Sequence, residues 1–308
     1  MSAPHRLVVI LGPTAAGKSA LGIFLAEKFG GEILVCDLTQ VYRHFDIGTA
    51  KVPRAEQRGI RHHLVDLVEP QEVFTAGDYR RNAVLALEDV RSRGKLSILT
   101  AGTGLYLRAL LEGLADAPTR SEELRERLRQ KARLRGPAHL HRILARLDAE
   151  SAARIAPPDT QKLIRAIEMR VLTGKPIGEI HRAGRSALEG YEVTKIGLLP
   201  PRAALYARIE GRVEAMLAAG WIEEVRQLIA SGVPEDAKPF QSIGYAELRA
   251  HLQGKLSREE AKQQIQQATR RFAKRQITWF RREADVHWLE GFGDDPEIEA
   301  TGTRLLKG

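Results

Sequence analysis

One cysteine, Cys36, in 308 residues excludes an intrachain disulfide and any cysteine-built metal site, and such a chain suits a reducing compartment. No stretch carries 18 uncharged apolar residues, so no segment is expected to cross a membrane as a helix. Met1 leads into a core strand within six residues, without the charged and apolar blocks of a leader, and a cytoplasmic protein is expected. Internal repeats and low-complexity tracts are also missing. Acidic residues are in deficit, 39 against 48 Lys and Arg, and the net charge of +9 points toward a polyanionic partner. That excess alone says nothing of fold, and many basic proteins bind no nucleic acid.

What is present is an ordinary globular balance, 43% hydrophobic and 28% charged, with length enough for an α/β core and one smaller unit. The informative stretch is Gly12-Pro13-Thr14-Ala15-Ala16-Gly17-Lys18-Ser19, which fits the phosphate-loop pattern G-x-x-x-x-G-K-[ST]. It follows the apolar run Leu7–Leu11 and opens a helical stretch from Ala20 to Phe29. Backbone N–H groups of such a turn point into one concavity at the positive end of a helix and suit a chain of phosphates. Lys18 adds a full charge, and the Ser19 hydroxyl can ligate a Mg²⁺ that bridges phosphate oxygens.

Strand-like runs at Leu7–Leu11, Glu32–Cys36, Leu96–Ala101 and Thr194–Leu199 alternate with helix-length segments. The expected fold is α/β, a phosphate-loop NTPase-like parallel sheet flanked by helices. Between them, 119–189 has helical spacing and dense charge, as in Glu122–Arg129 and Leu140–Leu147, with no strand candidate. It reads as a helical insertion domain, entered at Ala117-Pro118 and left near Gly184 to Gly190, in a core made of 1–118 and 190–308. After Pro200-Pro201 come helices at Arg202–Ala219, Trp221–Ser231, Tyr245–Gln253 and Arg258–Arg282, then a short strand at Val286–Leu289. The stretch from Arg270 to Arg282 combines Arg270, Arg271, Lys274, Arg275, Arg281 and Arg282 with Phe272, Trp279 and Phe280. Helical spacing assigns the aromatics to the core and leaves the cations for RNA.

Asp37 ends the second strand, at the carboxyl edge of a parallel sheet where ligands bind. A catalytic base, a Mg²⁺ ligand and an N-cap are all open to it. The third strand ends not in an acid but in Gly102-Thr103-Gly104, which a plain glycine turn also explains. Adjacent His62 and His63 lack metal-ligand spacing and fit core or hydrogen-bonding roles.

These residues, with Asp37-Leu38-Thr39-Gln40-Val41-Tyr42, Asp46-Ile47-Gly48-Thr49-Ala50-Lys51, His62-His63-Leu64, Ala101–Tyr106, Gln161–Glu168 and Lys274–Arg281, resemble the bacterial tRNA dimethylallyltransferase family. The resemblance runs from the first strand to about Leu289. It implies that the phosphate loop, Gly12 to Ser19, holds dimethylallyl diphosphate with Mg²⁺ on Ser19. The implied acceptor is the exocyclic N6 amine of the adenosine 3′ of the anticodon, in tRNAs reading codons that begin with uridine. Asp37 resembles the general base, and Thr103 and Arg125 match positions in the reaction channel. The implied contacts to the tRNA anticodon stem-loop are Asp37, Leu38, Thr39, Gln40, Thr103 and Arg125. They extend to Gln161, Lys162, Leu163, Ile164 and Arg165, to Gln241, Ser242, Ile243, Gly244 and Tyr245, and to Lys274, Arg275 and Arg281. The enzyme is expected to be a monomer. Leu38 stands where the family usually has Ser, and Ala101 where it usually has Gly. Leu38 removes a hydroxyl that could bond the base, so positioning falls to Asp37, Thr39, Gln40 or the backbone.

Chemistry fits the resemblance. An allylic diphosphate ionises at carbon when its leaving group is stabilised, which suits the loop amides, Lys18, Mg²⁺ and Arg125. The adenine amine is a poor nucleophile, which suits a carboxylate that takes its proton. The rivals are a small-molecule or nucleotide kinase, a transferase acting on free adenine nucleotide, and an RNA-binding module without catalysis. The basic C-terminal third counts against the first two, and convergence of Asp37 and the Gly-Thr-Gly turn on the phosphate site counts against the third.

Overall fold

A computed structural model describes residues 4–114, 120–182 and 186–307. Ala117-Pro118 and Gly184, where the insertion was expected to begin and end, lie outside them.

The apolar runs form strands: β1 (His5–Leu11), β2 (Gly31–Cys36), β3 (His62–His63), β4 (Leu96–Ala101), β5 (Tyr191–Leu198) and β6 (Val286–Leu289). All described pairings are parallel, in the spatial order β3-β2-β4-β1-β5-β6. Side chains alternate between the faces of a strand. Val8, Ile10, Ile33, Val35, Ile98 and Ile196 form a buried cluster with Leu21 and Leu25 of α1 (Lys18–Phe29) and with Ile298 and Leu306 of a C-terminal helix. Their alternates Leu7, Val9, Leu11, Leu34, Cys36 and Leu99 are equally buried, so both faces are covered. Helix α2 (Ala76–Ser92) lies against β2 and β4 and buries Tyr79, Ala83, Leu87 and Val90; Thr75 and Asp78 close its first turn in a reciprocal capping box. The turn after β4 opens α3 (Gly104–Leu111).

By internal packing the chain forms two compact units, Met1–Leu110 with Glu189–Gly308, and Leu111–Leu188. The smaller holds α4 (Glu122–Arg135), α5 (Pro137–Leu147), α6 (Ala149–Arg154), α7 (Thr160–Thr173) and α8 (Ile177–Arg182). Leu128, Leu140, Leu144, Leu163, Ile164 and Ile167 fill its centre. In the larger unit follow α9 (Arg202–Ala218), α10 (Trp221–Ala230), α11 (Tyr245–Leu252), α12 (Arg258–Phe280) and, after β6, α13 (Pro296–Lys307). A second apolar cluster joins α9 to α12 with the segment after β2, through Val41, Phe45, Val213, Trp221, Phe240, Tyr245 and Ile265. Neither β3 nor α13 was read from sequence. A two-residue strand shows no periodicity, and β3 is held by a side-chain group, Glu32 with His63 Nε2 and Arg93 Nη2, each at 2.6 Å.

Glu168 is the polar centre of the helical unit. Its fully buried carboxylate accepts from Arg125 Nε (2.8 Å) and Nη2 (2.7 Å), Arg165 Nη1 (2.5 Å) and the Ser121 amide (2.9 Å). Burial opposes its charge, but the bonds from Arg125 and Arg165 outweigh it and hold the carboxyl down at about 2. The stability this confers is present above the ordinary carboxylate range and is lost as pH falls from there toward 2. Replacing Glu168 by Gln leaves two arginines short of their counter-charge and is expected to destabilise the helical unit by about 3–5 kcal/mol. Limited proteolysis and urea unfolding check this: new cuts should fall within 111–188 first, and an unchanged midpoint would contradict it.

Candidate active site

Strand order decides what meets at the carboxyl edge. Because β4 separates β2 from β1, the Gly102 turn stands between the Asp37 corner and the phosphate loop along the strand ends. Gly102 N and Thr103 N both donate to Cys36 O, at 3.0 and 3.1 Å, and Leu38 N donates to Thr103 Oγ1 at 3.1 Å. The Gly-Thr-Gly segment is therefore a brace for the Asp37 corner. Asp37 Oδ1 accepts from Thr39 N (2.8 Å), Thr39 Oγ1 (2.6 Å) and Gln40 N (3.3 Å); no helix follows directly, so what it caps is the turn after β2 and not a helix N-terminus. It uses one oxygen. A methyl group at 102 would stand 2.9 Å from Oδ2, to which no described residue donates. One oxygen is locked and the other is left to accept a proton.

In the phosphate loop, Lys18 Nζ folds back onto Gly12 O (3.0 Å) and Pro13 O (2.8 Å). Ala15 holds a left-handed backbone, Gly17 a left-handed cap at the start of α1, and Gly293 N donates to Ala16 O at 2.8 Å. The Ser19 hydroxyl is exposed at the first turn of α1 and no described residue bonds to it. Arg212 of α9, which sequence reasoning missed, reaches Thr14 Oγ1 at 3.4 Å. Its signal was absent because α9 is more than 180 residues away in the chain and carries several arginines. Burial and the Arg212 charge together bring Lys18 down to about 8, against the pull of Asp37. Burial lowers Arg212 too, with Asp37 acting in the opposite direction. Two desolvated cations beside the backbone amides of the loop suit the binding of an anion.

Thr14, Ala15, Asp37, Leu38, Thr39 and Arg212 line a single cavity of about 300 Å³. Its other wall is apolar: Ile209, Val213, Met216, Trp221, Ile243, Ile265 and Phe272. Gly48, Thr49 and Ala50 close one side, fixed by Gln40 Nε2 on Thr49 O (2.9 Å) and by Glu224, which accepts from Asp46 N (3.0 Å) and Ile47 N (2.7 Å). The Trp221 indole packs on Gly48 so closely that a Cβ there would lie 2.2 Å from Nε1. Gln241 and Ser242 also line the cavity, whereas Tyr245 is buried in the core with its hydroxyl on Glu224 at 2.6 Å.

The remaining residues singled out from sequence divide by exposure. Arg271, Lys274, Arg275, Arg281 and Arg282 are exposed; α12 ends at Phe280, two residues before the expected end. Phe280 is core, as expected of the aromatics. Phe272 instead lines the cavity, and Trp279 remains 37% exposed with Arg108 over its ring. In the helical unit, Gln161 and Lys162 face outward while Leu163 and Ile164 are buried; Arg165 and Arg125 are engaged by Glu168. His62 and His63 make hydrogen bonds to Ile60 O and Glu32, and no cluster of metal-ligating side chains occurs among the described residues.

The parallel sheet with its phosphate loop between β1 and α1 makes this a phosphate-loop α/β protein with a helical insertion. The model of the IPP transferase family matches residues 40–283, and the chain belongs to that family. Similar curated proteins are the tRNA dimethylallyltransferases of Solibacter usitatus, 50% identical over 96% of both chains, and of Koribacter versatilis, 50% identical over 98% of both. Among solved structures, the full-length tRNA isopentenylpyrophosphate transferase of Bacillus halodurans superposes with a TM-score of 0.71 at 36% identity, covering 98% of this chain and 97% of that one. A eukaryotic dimethylallyltransferase acting on tRNA gives 0.83 at 27% identity, covering 98% of this chain and 78% of its own.

Because Lys18 must be charged to receive an anion, affinity for inorganic pyrophosphate should fall by up to about tenfold per pH unit above about 8. The Lys18→Arg variant, charged throughout, should lack that extra fall. Calorimetric titration of both proteins across this range measures it, and parallel curves would contradict the assignment. The same depression makes the empty folded protein more stable as pH rises from 8 toward the ordinary lysine range, since the unfolded chain holds that proton longer.

Proposed function

We propose that this chain is a tRNA dimethylallyltransferase. It transfers the dimethylallyl group of dimethylallyl diphosphate to N6 of the adenosine 3′ of the anticodon, in tRNAs reading codons that begin with uridine, and releases diphosphate. The observation that carries the reading is one cavity with three kinds of wall: the Thr14–Ala15 edge of the phosphate loop with Arg212, a carboxylate with a free oxygen, and an apolar face. The apolar face suits a prenyl chain.

The leaving diphosphate lies on the loop amides from Ala15 to Ser19, with Lys18 and Arg212 matching the charge that grows as the C1–O bond breaks. N6 donates its lone pair to C1, and its proton passes to Asp37 Oδ2, an assistance worth about 10²–10⁴-fold. The three donors on Oδ1 keep that carboxylate from rotating. Thr103, through Leu38 N, holds the same corner. Mg²⁺ fits this site: the protein offers one exposed hydroxyl, Ser19, and this ion keeps most of its shell as water and phosphate oxygens. When bound it neutralises diphosphate charge.

The adenosine leaves its stack to reach Asp37, at a cost of roughly a few kcal/mol. Contacts along the anticodon stem-loop offset this, and the exposed cations Arg271, Lys274, Arg275, Arg281 and Arg282 supply phosphate contacts. Leu38, 45% exposed at the cavity, offers an apolar surface to the base. The enzyme acts as a cytoplasmic monomer; among the described residues no helix is long and apolar enough to cross a membrane.

With Mg²⁺, labelled dimethylallyl diphosphate and unmodified tRNA, label should move to the RNA. ATP consumption with an inert prenyl donor would transfer the case to a kinase. Asp37→Asn should remove turnover while donor binding survives, and equal loss of both would assign Asp37 to structure. Affinity for tRNA should fall steeply with salt, as for about five or more neutralised phosphates.

A further inference from the structure

Gln276 is the only side chain seen bonded to both the phosphate loop and the Gly102 turn among the described residues. Its Oε1 accepts from Thr14 N at 2.8 Å, and its Nε2 donates to Gly102 O at 2.7 Å. The side chain is 6% exposed, on the inner face of α12, and its bond to Gly102 O is buried while that to Thr14 N is partly so. Thr14 precedes the amides that face the anion, and Gly102 abuts Asp37 Oδ2. One planar amide thus spans the gap that β4 opens between the donor loop and the base.

We propose that Gln276 is a positioning residue that sets the separation between the departing diphosphate and the carboxylate receiving the N6 proton. The proposal rests on the transferase reading above. A primary amide suits this place because it offers an acceptor and a donor at fixed spacing, and the two loops present one N–H and one C=O. Glu would offer two acceptors unless protonated, and Met would offer neither. Without the bridge, Thr14 N–H and Gly102 C=O lose their partners and the loops settle at another distance. A misplacement of about 1 Å costs on the order of 10²-fold in rate.

The test compares wild type, Gln276→Met and Gln276→Glu in single-turnover transfer of labelled dimethylallyl to tRNA, with pyrophosphate affinity and melting temperature measured alongside. For Gln276→Met, the rate at saturating donor and tRNA should fall about 100-fold, with pyrophosphate affinity within about threefold of wild type. Gln276→Glu should be equally slow at neutral pH and recover as pH is lowered, because a protonated carboxyl again donates to Gly102 O; burial raises its titration into an accessible range. Gln276→Met should show no such recovery. A purely structural role predicts no acid recovery and joint loss of rate, affinity and melting temperature, which would overturn the proposal. So would a Gln276→Met rate near wild type. Failure of wild type itself to transfer label defeats the functional reading and this proposal together, whereas an active wild type with indifferent variants defeats the proposal alone.

Discussion

The placement of β4 between β1 and β2 is the constraint on which the site depends. Parallel strands deliver their following loops to one edge, but adjacent strands put them in a fixed lateral order. Here the order is Asp37 corner, glycine turn, phosphate loop. A charged or bulky side chain in the middle position would fill the space where a substrate must pass from cradle to carboxylate. Gly102-Thr103 meets that constraint with backbone and one hydroxyl, both used to brace the Asp37 corner. An NTPase uses the same strand end for an acid that holds the metal shell. The absence of an acid there and the presence of Asp37 one strand further out are two sides of one arrangement.

Electrostatics follow from packing. Lys18 and Arg212 are both driven toward neutrality by burial, and each is partly supported by Asp37. In the proposed reaction a diphosphate supplies the counter-charge that Asp37, held on its own turn by Thr39 and Gln40, gives only in part. In that reading the carboxylate is kept for the N6 proton instead of being drawn into an ion pair with Lys18. The locking of Oδ1 does this without removing the negative charge the site needs.

Much of this was legible in the chain. The phosphate loop declares itself because its glycines, Lys and Ser are contiguous between a strand and a helix, and the strands β1, β2 and β4 are short apolar runs of the right length. Asp37 was found because it ends a strand. Arg212 and Gln276 were not, since their roles arise from helices α9 and α12 crossing the sheet edge, and no local pattern encodes that crossing. The orientation of Asp37 was also hidden: the residue order leaves a base, a Mg²⁺ ligand and a cap open, and only the structure shows that Oδ1 caps the following turn while Oδ2 has no donor among the described residues. Phe272 illustrates the same limit, since helical spacing alone cannot tell a core face from a cavity wall.

The apolar half of the cavity bears on why transfer can dominate over hydrolysis. An allylic carbon that loses its diphosphate is attacked by the first nucleophile to reach it, and water is the abundant one. The aliphatic side chains of Ile209, Val213, Ile243 and Ile265 present no donor or acceptor at the cavity surface to hold an ordered water there. Their positions are set from outside the site. The same side chains, or neighbours one helical turn away, belong to the cluster that packs α9 to α12 against the segment from Val41 to Phe45. Exclusion of water from the reacting carbon and cohesion of the C-terminal helices thus rest on one set of contacts, which ties the chemistry to the packing of the helices that carry the cations.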